Sequence, residues 1–162
     1  MKKAVAILIL FTLAAFQGCG KYPVNPYYPN AIINFTIYPN TLHEFELNTV
    51  SGYKYYTSDP LSTSRGIIIF RKSVDEFVAY DRLPPNHPYA CCDDEGNCTR
   101  LVVENGVFVV DHCNNAYYNI LNGDIIIDEE HGMKPTFSID TTLFPLIQYH
   151  TVFDGTALHV YN

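Results

Sequence analysis

Beyond residue 30, six side chains that lie in Cys/His clusters could bind a soft metal, form disulfides or supply a thiolate: His87, Cys91, Cys92, Cys98, His112 and Cys113. They fall in two stretches, residues 83–98 and residues 111–115. If both stretches are loops at one end of a sheet, the six face one another. Three chemistries are then open. The first is a disulfide, because four cysteines in an exported chain form an even set with three possible pairings. A bond from Cys91, Cys92 or Cys98 to Cys113 would staple the loops together. Cys98 with Cys91 or Cys92 is also open, whereas adjacent Cys91 and Cys92 are not expected to join each other.

The second chemistry is a metal. Thiolates and imidazoles suit zinc or an iron–sulfur site. The spacing argues against it: Cys92 and Cys98 are separated by five residues, unlike a known zinc pair. His112 directly precedes Cys113, and neighbours in an extended strand point to opposite faces. The same geometry weakens the third chemistry, a Cys113 nucleophile beside His112 acting as a thiol oxidoreductase. No oxyanion donor set accompanies it. The chain also has no Gly-x-Ser-x-Gly elbow, no His-Glu-x-x-His and no phosphate-cradling glycine loop. No catalytic residue is assigned, and the expectation is a non-enzyme.

The N-terminus sets where this chemistry takes place. Lys2 and Lys3 precede an apolar run over residues 4–16, and then Phe16-Gln17-Gly18-Cys19 puts a small residue before a cysteine. This is the pattern of a secretory signal, too short to span a bilayer. It resembles the lipobox of bacterial lipoproteins, with Phe16 where Leu is more usual. The resemblance implies cleavage after residue 18, lipidation of Cys19 and a place in the bacterial cell envelope, at the outer membrane. The expected partners are the membrane, through the anchor, and an envelope protein. Removing residues 1–18 leaves 144 of 162 residues. It also takes two of the 10 basic residues, so 8 remain against 17 acidic ones, a net charge of −9. An acidic chain without a basic cluster argues against nucleic acid.

The elements that position the six side chains read as strands. The chain has 13 tyrosines, 10 phenylalanines, 10 prolines and no tryptophan, a composition that fits an all-β domain better than a helical one. Residues 19–30, proline-rich, are expected to be a lipidated tether, and residues 31–162 the domain. Strands are expected at 31–38, 43–47, 53–57, 66–71 and 77–81, with Gly66-Ile67-Ile68-Ile69-Phe70-Arg71 central because it is the most apolar. Asn105-Gly106 and Asn122-Gly123 each sit between apolar runs and predict tight primed turns. They give hairpins 101–103 with 107–110, and 116–120 with 125–127. Residues 128–143 read as a long loop. A last hairpin, 145–153 with 157–161, turns at Asp154-Gly155 and ties in the C-terminus. The tyrosines between Pro26 and Tyr56 offer a contact surface or a cover for the core. The whole predicts a small barrel or sandwich.

The order of these pieces resembles the Rieske-type [2Fe–2S] domain and, more closely, a family of Rieske-like bacterial lipoproteins. The residues that carry it are 66–71, Glu76-Phe77-Val78-Ala79-Tyr80-Asp81-Arg82, Asp111-His112-Cys113, Tyr118-Asn119-Ile120 with Asn122-Gly123, and Pro145-Leu146 with Tyr149, Leu158, Val160 and Asn162. The resemblance implies antiparallel sheets with a smaller ligand-bearing subdomain inserted. It also implies two ligand motifs, Cys-x-His and Cys-x-x-His, since that cluster needs two thiolates and two imidazoles. The first would fall on Pro84-Pro85-Asn86, and the second on Cys113-Asn114-Asn115-Ala116. Only Cys113 survives. The expectation is a fold kept and a cofactor lost, with a structural or partner-binding role. The alternative is electron transfer through an unusual [2Fe–2S] or other metal site built on the cysteine-rich loops.

Overall fold

The structure is a computed structural model that describes residues 24–57, 63–139 and 142–162. The expected signal segment, Cys19 and the start of the tether lie outside the described residues. The ten strands among the described residues are β1 (Asn34–Ile37), β2 (Tyr53–Tyr56), β3 (Ile67–Arg71), β4 (Phe77–Asp81), β5 (Val102–Glu104), β6 (Phe108–Asp111), β7 (Ala116–Asn119), β8 (Ile125–Ile126), β9 (Gln148–Phe153) and β10 (Leu158–Tyr161). They form two antiparallel sheets, so the chain is all-β. Six strands in the order β1-β10-β9-β4-β3-β2 make a half-barrel, and four in the order β5-β6-β7-β8 make a second sheet. The four-stranded sheet is one continuous piece of sequence, inserted between β4 and β9.

β9 holds the larger sheet together. Its first two residues, Gln148 and Tyr149, pair with Tyr80 and Ala79 of β4, while His150 to Phe153 pair with β10. The half-barrel wraps one core, in which Ile67, Ile69, Phe77, Ala79 and Tyr149 meet Ile33, Leu158 and Val160. The opposite faces of β3 and β4 give Ile68, Phe70, Val78 and Tyr80 to a second core. There they meet Val103, Val109, Tyr118 and Ile120 of the inserted sheet. β3 and β4 are buried along their whole length. A strand covered on both faces has no polar side to show, and this explains the unbroken Ile67-Ile68-Ile69-Phe70 run.

Most expected strands are present, and two local readings need correction. Residues 43–47 are not a strand: Leu42–Leu47 is a 3₁₀ helix with a kink at Glu44. Leu47 is buried but Phe45 is largely exposed, so the two-residue alternation did not mark a sheet face. The turn at Asn122-Gly123 is longer than expected. Only Gly123 has positive φ, and the chain closes between Asn119 and Asp124, whose carbonyl accepts the Asn119 N–H at 2.9 Å. Gly123 is required for packing: a Cβ there would lie 3.1 Å from the Tyr80 ring and 3.3 Å from Leu146 Cβ. The described end of the expected tether touches the domain, where Asn25 Nδ2 donates to the Pro85 carbonyl at 3.2 Å. At Asn105-Gly106 the primed turn does form, with φ of 51° and 67°, and the Val107 N–H donates to the Glu104 carbonyl at 3.2 Å.

The molecule therefore has two ends. One carries the starts of β3 and β9, the end of β4 and the loops 82–101 and 111–115. The other carries the 3₁₀ helix and the turns 72–76 and 154–157.

Candidate functional site

The two cysteine-bearing loops meet at the first of these ends. β4 delivers Asp81 to its edge, where the buried carboxylate turns the chain into the first loop. Asp81 Oδ1 accepts the N–H groups of Leu83 (2.6 Å) and Arg65 (3.2 Å), and Oδ2 accepts the Tyr149 hydroxyl at 2.7 Å. β6 ends the same way. The buried Asp111 accepts the Cys113 N–H at 3.0 Å and the Asn114 side-chain amide at 2.7 Å. A carboxylate that accepts the N–H two residues on is an Asx turn, and two such turns open the two loops.

Cys91 is joined to Cys113, with Cα atoms 5.8 Å apart, and Cys92 is joined to Cys98. The first bond crosses between the loops. The second closes a small turn in which Asp93 accepts the N–H groups of Glu95 and Asn97 and the Asn97 side-chain amide. Those bonds from Asn97 hold the Asp93 carboxyl below its ordinary value. In the first loop, Asn86 is buried and bonded on both sides. Its Nδ2 donates to the Tyr118 hydroxyl (3.1 Å) and the Phe144 carbonyl (2.8 Å), and its Oδ1 accepts the Phe144 N–H at 3.0 Å. Burial pushes the Tyr118 phenol up, so it remains a neutral partner. Asn114 is buried too, and its carbonyl accepts the Thr136 N–H at 2.8 Å. Asn115, at φ 49°, donates to the carbonyls of Gly132 and Lys134. The loop 128–139 is thereby fastened to the same place.

The six candidate ligands are not brought together as a set. All four cysteine sulfurs are spent in disulfides and have no thiolate to offer a metal or an electrophile. His87, at φ 49°, lays its ring against Phe137, with centroids 5.2 Å apart. His112 points out to solvent, with Nε2 3.0 Å from Glu104 Oε1. Among the described residues, no three His, Cys, Asp or Glu side chains are grouped to hold a metal ion. The positions to which the resemblance assigns the missing ligands are filled by packing: Pro84, Asn86 and Ala116 are all buried. These residues do not fit a [2Fe–2S] cluster. Acidic side chains elsewhere in the domain have partners of their own. Glu44 and Glu46 each lie 3.2 Å from Lys54 Nζ, Asp128 bonds His131, and Glu129 bonds Lys134.

Sequence reasoning singled out the cysteines and missed the polar residues around them. Asp81, Asn86, Asp111 and Asn114 do most of the loop fastening. The two aspartates left a readable mark, an acid at the end of an apolar run with the chain turning two residues later. The asparagines left none, since an asparagine in a proline-rich loop reads as a solvated one. Of the tyrosines read as a contact surface or a cover for the core, Tyr55 bridges the sheets. Its hydroxyl accepts the Val103 N–H at 2.8 Å, and the Arg82 guanidinium lies 4.2 Å above its ring. Comparison of the chain with protein-family models, curated proteins and solved structures finds no match.

Proposed function

We propose that this protein is a lipid-anchored domain of the bacterial cell envelope, built on a Rieske-like scaffold whose cluster site has become a covalent clamp. Its role is structural or in binding an envelope partner, and it is not an enzyme. The observation that carries this reading is the closure of the two loops by Cys91–Cys113 over buried Asn86 and Asn114. A redox cluster needs free thiolates and imidazoles at that place, and here disulfide, amide and proline occupy it. Insertion of the four-stranded sheet between β4 and β9 agrees with a Rieske-like arrangement of base and subdomain. Two disulfides agree with an oxidising compartment, and the Lys2-Lys3, apolar run and Cys19 pattern agrees with export and anchoring.

The test is iron and sulfide analysis of the domain from Lys21 onward, expressed without oxygen and never exposed to chelator. Its visible spectrum and a thiol titration of the denatured, unreduced protein complete it. We expect no iron and no thiolate-to-iron absorption, and, once the metal-free protein has been oxidised in air, no free thiol. Stoichiometric iron and sulfide with four titratable thiols would overturn the reading in favour of electron transfer.

A further inference from the structure

Three of the four arginines in the chain are far apart in sequence and meet at one place in the fold. The Arg82 N–H donates to the Gly66 carbonyl at 2.8 Å, and the Leu101 N–H donates to the Arg82 carbonyl at 2.9 Å. Residues 66, 82 and 101 therefore form one row across three chain segments, with Arg65 and Arg100 each one position away from it. The side chains are fixed to main-chain carbonyls on either side of Arg100. Arg65 Nη1 donates to the Thr99 carbonyl at 2.7 Å, and Arg82 Nε donates to the Leu101 carbonyl at 2.9 Å. Alternate carbonyls of an extended segment point the same way, about 7 Å apart. Each of these two guanidiniums is also backed by a ring, Arg82 by Tyr55 at 4.2 Å and Arg65 by Tyr89 at 5.6 Å.

The three cations differ from the other basic side chains in having no counterion. Every described lysine has a carboxylate partner: Lys54 has Glu44 and Glu46, Lys72 has Glu76, and Lys134 has Glu129. Among the described residues, no carboxylate is within ion-pair distance of Arg65, Arg82 or Arg100, in a chain with 17 acids against 10 bases. Burial, and then the charge of Arg100, pull the Arg65 and Arg82 guanidiniums below their ordinary pKa. Asp81 acts the other way on both and Asp111 on Arg65. Those two carboxylates accept main-chain N–H groups, the Tyr149 hydroxyl and the Asn114 amide, and make no bond to a guanidinium. A guanidinium stacked on a ring keeps its N–H edge open, and the edge matches phosphate oxygens in pairs. Arg65 and Arg82 each use one of five donors on a carbonyl, so most of that edge remains for a ligand.

We infer that Arg65, Arg82 and Arg100 form a binding site for a diphosphate, with the Tyr55 and Tyr89 rings backing the two outer guanidiniums. Anchor points about 7 Å apart, with a third cation between them, are too widely set for a single carboxylate and suit oxygens spread over two linked phosphates. The site depends neither on lipidation of Cys19 nor on the origin of the fold.

Calorimetric titration of the full-length protein with inorganic pyrophosphate should show one site per chain, weakened by added salt. Orthophosphate and citrate should bind at least tenfold more weakly. Arg100 is exposed, and its side chain makes no hydrogen bond or ion pair among the described residues. Arg100→Gln should therefore weaken pyrophosphate binding at least fivefold and leave the melting temperature unchanged. Lys72→Gln, the same change of charge at the other end of the domain, should leave binding within a factor of two. Equal losses from the two variants, or no binding at millimolar pyrophosphate, would overturn the site. Citrate binding as tightly as pyrophosphate would overturn the diphosphate assignment. Geranyl diphosphate separates the two sources of this chemistry: at least tenfold tighter binding than pyrophosphate assigns a lipid-borne diphosphate, and equal binding a free one.

Discussion

The two ends of the half-barrel are fastened by different chemistry. At the cysteine-rich end a covalent bond joins the loops, and neutral amides and two buried aspartates satisfy the backbone beneath it. At the other end one buried guanidinium does the equivalent work. Arg71, 5% exposed, donates to the side-chain carbonyl of Asn40 (2.8 Å) and to the main-chain carbonyls of Leu47 (2.9 Å), Val74 (2.6 Å) and Ser73 (3.3 Å), and its guanidinium lies 5.1 Å from the centre of the Phe77 ring. It gathers the 3₁₀ helix and the 72–76 turn around the end of β3. A guanidinium can do this because its five donors are fixed in one plane and reach several carbonyls at once. The difference follows from loop length. Short turns leave a few carbonyls near one point, which one cation can collect. Loops of up to about twenty residues leave donors and acceptors spread over a wider area, which needs several side chains and a cross-link.

The comparison can be broken at either end. The largest effect is expected for Arg71→Ala, which strands its carbonyl partners in a buried place and should cost about 4 kcal/mol. Arg71→Lys should recover only part of it, because an ammonium cannot reproduce the fork. Urea denaturation of both variants measures this, and full recovery by lysine would mean that charge alone matters. Next comes the double variant Cys91→Ser with Cys113→Ser. Its 22-residue separation predicts a loss of about 3 kcal/mol from loop entropy, against about 2 kcal/mol for Cys92→Ser with Cys98→Ser across 6 residues. Hydrogen exchange should then rise at residues 83–98 and 111–115 and stay unchanged at 72–76. A rise at both ends would show that the ends are not independent. Asn86→Ala should match the smaller of these losses, about 2 kcal/mol, because Phe144 and the Tyr118 hydroxyl lose their buried partner. If it proves neutral by thermal melting, water has replaced the amide and the disulfide alone holds the loops.

The sequence by itself determined the strands. Apolar residues alternating in β1, the doubly covered Ile67-Ile68-Ile69-Phe70 run and Asn105-Gly106 all express local rules of pleat and turn, and those need no distant partner. Local rules misled where a segment was too short for a period to be distinctive, as at Leu42–Leu47, where a kinked 3₁₀ turn buries Leu47 as well as a strand would. They also misled at Asn122-Gly123, where the close approach of Tyr80 and Leu146 from the other sheet sets the shape of the turn. Only the tertiary structure decided the cysteine pairing, because four cysteines in two loops leave more than one pairing open until the loops are placed in space. It also decided the fate of Asn86 and Asn114. Burial belongs to the surroundings of a residue, and these two amides become structural only once the inserted sheet closes over them. The docking of Asn25 on Pro85 has the same origin. A proline-rich segment carries no sign of the surface it rests on, and that surface exists only after residues sixty positions apart have come together.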